Sequence, residues 1–313
     1  MSDPSAVSAA EPATGLVADP AAAPERPRSL ASDAWHDLRR RPLFLLSVAL
    51  IVFLLVLAAF PQLFTSVDPT AGDLSRSRQP PSAQAWFGYD LLGRDVYART
   101  IYGTRVSIVV GVLATTVTVL IGGVLGLLAG FHGGRLDAVV SRVTDVFFGL
   151  PFVLGAIVIL SSFRETVGEG AVGITALVVL TMAVLSWPVT MRIMRSAAIA
   201  ARDQDYVRAA RGLGAGPARV IWRHMLPNCL APVLVYATIA LGAFIGTEAT
   251  LSFLGIGLRD PVVSWGVMIS EASDYLRVAP HLLLFPAAFL ALTVLAFVML
   301  GDAVRDAFDP KGR

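Results

Sequence analysis

DQDYVRAARGLGAGPARVIWRHMLPN, Asp203 to Asn228, is a polar, arginine-rich stretch held between two long apolar runs. It contains no run of its own that could cross a bilayer. Asp203 or Asp205 can cap a short helix whose body, Tyr206 to Arg211, presents the small residues Ala209 and Ala210. Gly212 and Gly214 then stop that helix, and Pro217 suits the first turn of a second one reaching about Met225. Leu226-Pro227 closes the second helix before the chain becomes apolar again. The stretch therefore reads as helix, glycine hinge, helix, set between membrane anchors.

The totals agree with anchors of that kind. The 313 residues are 55% hydrophobic and 15% charged, too apolar for an ordinary soluble domain. The mean hydropathy of +0.69 points the same way, to a chain that crosses the membrane several times. One cysteine, Cys229, excludes an internal disulfide and any all-cysteine metal cluster. The single lysine, Lys311, is not preceded by the glycine-rich loop of a nucleotide site, so this polypeptide carries no P-loop. No HExxH or GxSxG occurs, and His36, His132, His224 and His281 stand singly. An enzyme is not expected, and if energy is spent on transport, another subunit spends it.

Residues 1–34 are rich in Ala, Pro and Ser without hydrophobic period and read as a disordered tail. Residues 35–61 hold a short interfacial segment, Trp35 to Arg41, and a first span from Leu43 to Phe60. A polar loop with interface-seeking aromatics, 62–104, follows; within it Asp90, Arg94 and Asp95 are placed to pair locally. Residues 105–303 form the transmembrane core. Its second span is Val106 to Gly134, where Gly122, Gly126 and Gly130 recur every fourth residue and make a face that another backbone can approach. Arg135 to Arg142 reads as a short polar turn. Val146 to Phe163 is the third span, kinked or opened near Pro151, and a loop with Arg164, Glu165 and Glu169 leads to the fourth, Gly170 to Met191. Cys229 to about Leu251 is the fifth, and Val278 to Gly301 the sixth, before a tail at 304–313. Glu248 lies inside the fifth span, where an ionisable group is costly and so a functional candidate; Ser252 and Phe253 beside it complete a pathway or gate set.

Several segments carry a resemblance to a known family. Ala209-Ala210, Gly214 and Leu226-Pro227 resemble the "EAA" loop of ABC importer permeases, with Arg208 where the pattern has glutamate and His224 where it has isoleucine. Phe87 to Val96 (FGYDLLGRDV), Asp145 to Pro151 (DVFFGLP), Leu251 to Gly257 (LSFLGIG) and Leu300 to Pro310 are similar to the C-type permease of dipeptide, oligopeptide and nickel importers. The likeness covers residues 39–310. It implies an all-α membrane protein with six transmembrane helices in the type I ABC importer permease fold, sited in the bacterial cytoplasmic membrane. It also implies a docking loop at 197–227 that meets the ATPase through Asp205, Tyr206, Val207, Arg208, Ala209, Ala210, Arg211, Gly212 and Gly214. The partners implied are a homologous second permease, two ABC ATPase subunits that bind the ATP and Mg, and an external solute-binding protein. Membrane lipid surrounds the bundle, and neither a cofactor of its own nor nucleic acid is implied. The cargo implied is a dipeptide or short oligopeptide, with nickel or another small solute as the alternative.

Six spans put both termini on one side of the membrane. With that side cytoplasmic, the inner segments hold 17 Lys and Arg residues and the outer ones 8, which places the docking loop inside. An ATP-independent carrier would need charged or unwound segments at mid-membrane depth, for which the prolines near 151 and 286 are the available feature. An intramembrane enzyme would need convergent catalytic groups, and Glu248 stands without one.

Overall fold

The computed structural model describes residues 38–168 and 170–308. The tail at 1–34, Trp35 to Asp37 of the interfacial segment, Glu169 and the last five residues lie outside that range.

The first helix, α1 (Pro42–Ala59), begins on a proline whose missing N–H would have no acceptor in a first turn. It ends where Phe60 precedes Pro61, because a residue before proline is pushed out of helical geometry. Helix α2 (Val96–His132) starts on Asp95, whose carboxylate accepts from the Ala98 N–H, and stops at Gly133 with φ +65°. It therefore begins well before residue 105, and the loop after α1 closes at Asp95. At 37 residues it is about 55 Å long, so it projects beyond a hydrocarbon core of about 30 Å.

The region expected as a polar turn followed by a third span is built differently. Arg135 to Arg142 belongs to α3 (Gly134–Gly149), a helix in its own right, and a second helix, α4 (Phe152–Val167), starts only after Pro151. The two are bent by 93°. Leu150 is extended and Pro151 has no N–H to continue the ladder, so the chain turns there rather than kinking gently. Helix α5 (Ala171–Arg202) carries Pro188 inside it and continues past the fourth span, through Arg192 and Arg195.

After the short helix α6 (Asp205–Gly212) comes α7, a single helix from Pro217 to Phe253. Leu226-Pro227 does not close it. A π-helical stretch, Val220–Met225, widens the turn just ahead of Pro227, and the helix passes a residue that has no N–H to donate. Helix α8 (Trp265–Ala272) is short, and α9 (His281–Phe308) runs through the first half of the expected C-terminal tail.

Helix α2 lies at the centre, packed on α5, α7 and α1. The glycine stripe is the reason it can approach α5 so closely: a methyl at Gly122 would sit 2.5 Å from the Trp187 carbonyl oxygen, and one at Gly130 would sit 2.6 Å from Ala198 Cβ. The stripe is thus a packing surface within the subunit. Arg105 of α2 donates to the carbonyls of Ala58 (2.7 Å) and Ala59 (3.0 Å), satisfying the open end of α1.

Among the described residues, five helices are long and apolar enough to span a membrane, and the bent α3–α4 pair is a sixth candidate. The start of α1 and the end of α9 meet: Arg41 pairs with Asp306 at 2.9 Å, and Leu38 and Phe44 pack on Ala303 and Ala307. With the first and last helices ending on the same side, the number of crossings is even, so the bent pair counts as one crossing and the total is six.

Candidate functional site

The docking segment is built from α6 and the turn behind it. Gln204, rather than Asp203 or Asp205, is the N-cap; its side chain makes no capping bond, and Asp205 sits in the first turn, where a negative charge favours the helix N-terminus. Gly212 is still helical. The stop is a Schellman turn centred on Gly214 at φ +83°, with Gly214 N–H donating to Arg211 and Ala215 N–H to Ala210.

The helix is split into two faces. Val207 is fully buried, seated in a cluster with Leu127, Met194, Ala198, Ile221 and Met225 of α2, α5 and α7, and Ala210 is nearly as buried. Asp205, Tyr206, Arg208, Ala209, Arg211, Gly212 and Gly214 are exposed. Ala209 and Ala210 therefore do not form one small outward face: Ala210 anchors α6 to its own subunit, and Ala209 alone points away. Residues i and i+1 of a helix lie about 100° apart, so one of a neighbouring pair is buried when the helix lies flat on a core. Burial holds the Tyr206 phenol above its ordinary pKa, with Cys229 adding to the shift and Asn228 opposing it.

Glu248 and Ser252 are packed into the fold at the C-terminal end of α7. Glu248 is fully buried; its Oε1 accepts from Ser252 Oγ at 2.8 Å and from Ser264 Oγ at 2.9 Å. Those hydroxyls in turn accept from the backbone N–H groups of Leu258 and Val267. One carboxyl therefore ties the segment after α7 and the start of α8 to the end of the span. Phe253 is half exposed and takes no part in this cluster.

Two features escaped the sequence reading. The loop between α1 and α2 is clamped by a buried ionic network in which Asp90 Oδ2 accepts from Arg94 at 2.6 Å and Arg99 at 2.9 Å. Both arginines also reach Glu271 of α8, at 3.2 and 3.0 Å. Asp90 and Arg94 do pair as their spacing suggests, but Asp95 caps α2 instead. Arg99 and Glu271 lie 172 residues apart, and no local signal links them. The second feature is an apolar groove of about 730 Å³ between α2 and α5, lined by Val109, Leu113, Thr175 and Val179 and roofed by Pro261 to Val263.

Comparison with known proteins places this architecture. Residues 122–313 match the family described as "Binding-protein-dependent transport system inner membrane component", and residues 29–81 match "N-terminal TM domain of oligopeptide transport permease C". A dipeptide transport system permease protein, DppC, of Alkalihalophilus pseudofirmus is 36% identical over 279 residues, 89% of either chain. The oligopeptide transport system permease protein OppC of Bacillus subtilis is 34% identical over 303 residues, 97% of either chain. A glutathione transport system permease protein, GsiD, of Pectobacterium atrosepticum is 35% identical over 278 residues, 88% of this chain and 90% of that one. Among solved structures, an inward-facing MetNI methionine ABC transporter chain superposes with a TM-score of 0.55 at 20% identity, covering 67% of this chain and 97% of that one, a likeness of fold. The six-crossing bundle with its short polar-faced helix between α5 and α7 thus belongs to the binding-protein-dependent transport system inner membrane components.

Proposed function

We propose that this chain is the permease subunit of an ABC importer for dipeptides or short oligopeptides, and that α6 is the element through which a separate ATPase moves it. The observation that carries this reading is the two-faced α6. Val207 seats it against α2, α5 and α7 and Ala210 is buried beside it, while Tyr206, Arg208, Ala209 and Arg211 are exposed and accessible to another protein. A rigid seat of this kind transmits displacement into three spans at once.

The preponderance of basic residues on the α6 side supports a cytoplasmic position for α6 and both termini. Two ATPases that close on ATP would carry α6 with them, and ATP drives the change only by being bound more tightly in one of the two states. A homologous second permease would complete the pathway, with the groove between α2 and α5 as this chain's share of its wall. An external binding protein would select the cargo, consistent with a groove that is almost wholly apolar and makes few specific demands. The peptide assignment rests on relatives named for dipeptide, oligopeptide and glutathione transport.

The test is Ala209→Trp in the assembled transporter. A bulky ring on the free face should leave ATP hydrolysis running while peptide uptake falls to background, with normal amounts of complex in the membrane. Uptake at the wild-type rate would remove α6 from the coupling path.

A further inference from the structure

Glu271, in the last turn of α8, sits where three acids meet two arginines. Arg94 and Arg99 both donate to its Oε2 and both donate to Asp90 Oδ2, while Arg94 also reaches Asp260 at 3.5 Å. Asp95 stands apart from this count, because its carboxylate caps α2 and meets the partial positive charge of that helix end. Asp90, Asp260 and Glu271 thus share two guanidinium groups, and the cluster carries one negative charge in excess.

Charges taken out of water favour a form with no net charge, so one of the three acids should hold a proton. Asp90 is committed as a carboxylate: Oδ1 accepts from the Leu92 and Arg94 amides, and Oδ2 from the two guanidinium groups. Asp260 is 69% exposed, and water carries its charge. Glu271 is 31% exposed, and its two arginine bonds both fall on Oε2, which leaves Oε1 for a proton. A cavity of about 10 Å³, the size of one water, touches Asp90, Arg99 and Glu271. Burial pushes Glu271 up to about 7; Arg94 opposes the shift, and Asp90 and Asp260 add to it.

The other titratable and charged groups around α8 have their own contacts. Glu248 of α7 lies at the opposite end of α8, bound to Ser264, and His281 at the start of α9 packs against Gly88. Tyr275 lies under Arg78, Asp274 follows in the turn after α8, and Arg259, next to Asp260, lies near Arg164. Released into water, Glu271 has the ordinary value of 4.5. Between about 4.5 and 7 the packed form therefore holds a proton that the released form lacks. Packing is favoured at low pH and loses that support as pH rises through about 7. A simple ion pair behaves in the opposite sense, tightening as its carboxylate ionises.

We infer that the clamp between α8 and the α1–α2 loop is a proton latch, in which a proton on Glu271 balances Asp90, Arg94, Arg99 and Asp260 and its loss frees α8. Asp260 leads directly into Pro261 to Val263, the roof of the apolar groove, so the latch controls how firmly that roof is held. Helix α2 starts at this cluster and ends beside α6, where Arg211 lies over the Phe131 ring. The latch thus stands at the end of α2 remote from α6. It rests on the proposed function only for the compartment whose pH it reads, which is the external one when α6 is cytoplasmic.

The test is hydrogen exchange of residues 264–275 in the assembled transporter, without ATP or cargo, compared at about pH 6 and pH 8 and corrected for the pH dependence of the chemical exchange step. Wild-type protection should fall about tenfold from the lower pH to the higher, the effect of one proton. Glu271→Gln is neutral and still accepts from both arginines, so it should keep the low-pH protection at the higher pH. Asp260→Asn removes the excess charge and should move the midpoint to lower pH. Three results would overturn the inference: wild-type protection that is flat or rises with pH, a glutamine variant that is loose at both pH values, or a pH step that survives Glu271→Gln. ATP-driven uptake does not enter this measurement, so failure here stays separable from failure of the transport reading.

Discussion

Glu248→Ala removes the acceptor shared by Ser252 and Ser264, and the structure fixes what that should cost. Two buried hydroxyl donors lose their partner, each worth about 1–3 kcal/mol when left unsatisfied. The emptied space adds a cavity term, for which a few kcal/mol is usual in a packed core. Partial rotation of the hydroxyls to other acceptors recovers some of this, so a net loss of about 3 kcal/mol is expected. The loss is local, because the same hydroxyls hold the Leu258 and Val267 amides. At about 1.4 kcal/mol per factor of ten, opening of the 254–267 segment should become more than a hundredfold more frequent. Hydrogen-exchange mass spectrometry on the purified complex reads this directly. Glu248→Gln keeps a carbonyl acceptor for both serines and should show a distinctly smaller increase. Unchanged exchange in the alanine variant, or a glutamine variant as loose as the alanine one, would refute the clamp.

Three further outcomes follow from named contacts. Arg99→Met strips a buried guanidinium from Asp90 and Glu271, and breaking such a pair costs about 3–5 kcal/mol, toward the lower figure here because Arg94 still serves both acids. A clear drop in thermal unfolding temperature in detergent is expected, and an unshifted transition would discount the network. Gly126→Ala places a methyl against the Met191 carbonyl oxygen and 2.9 Å from Met194 Cβ, so α2 and α5 must part at a cost of about 1–3 kcal/mol. Gly149→Ala, with nothing within 4 Å of the new methyl, should be neutral or slightly stabilising, and equal losses in the two would contradict the packing role of the stripe.

The spans were legible because each is a long apolar run with at most one charged residue, and bilayer thickness converts run length into a crossing with little dependence on packing. What surrounds them was harder to read, for reasons that differ from residue to residue. In α3, arginines at 135 and 142 masked a helical stripe whose apolar members recur at three and four, and a search for uninterrupted apolar runs passes over an amphipathic helix. At Leu226-Pro227 the usual stop signal was overridden by the π turn ahead of it, a backbone device that no residue type announces. Ala210 was misplaced because composition gives the smallness of a pair but not its rotation about the helix. Glu248 was visible as an anomaly, while its partners Ser252 and Ser264 and their backbone donors are joined only in three dimensions. Arg99 stood in a charged stretch like any other until α8 brought Glu271 to it.

The central claim is that α6 meets a separate ATPase on the cytoplasmic side. Its most direct test is Ala209→Cys, with Cys229→Ser, in the assembled transporter. A membrane-impermeant maleimide should label the thiol in inside-out vesicles and not in intact spheroplasts, and a short bifunctional reagent should join it to the ATPase. Labelling from the outside, or a thiol that reacts freely in the complete complex and cross-links to no ATPase, would contradict the account.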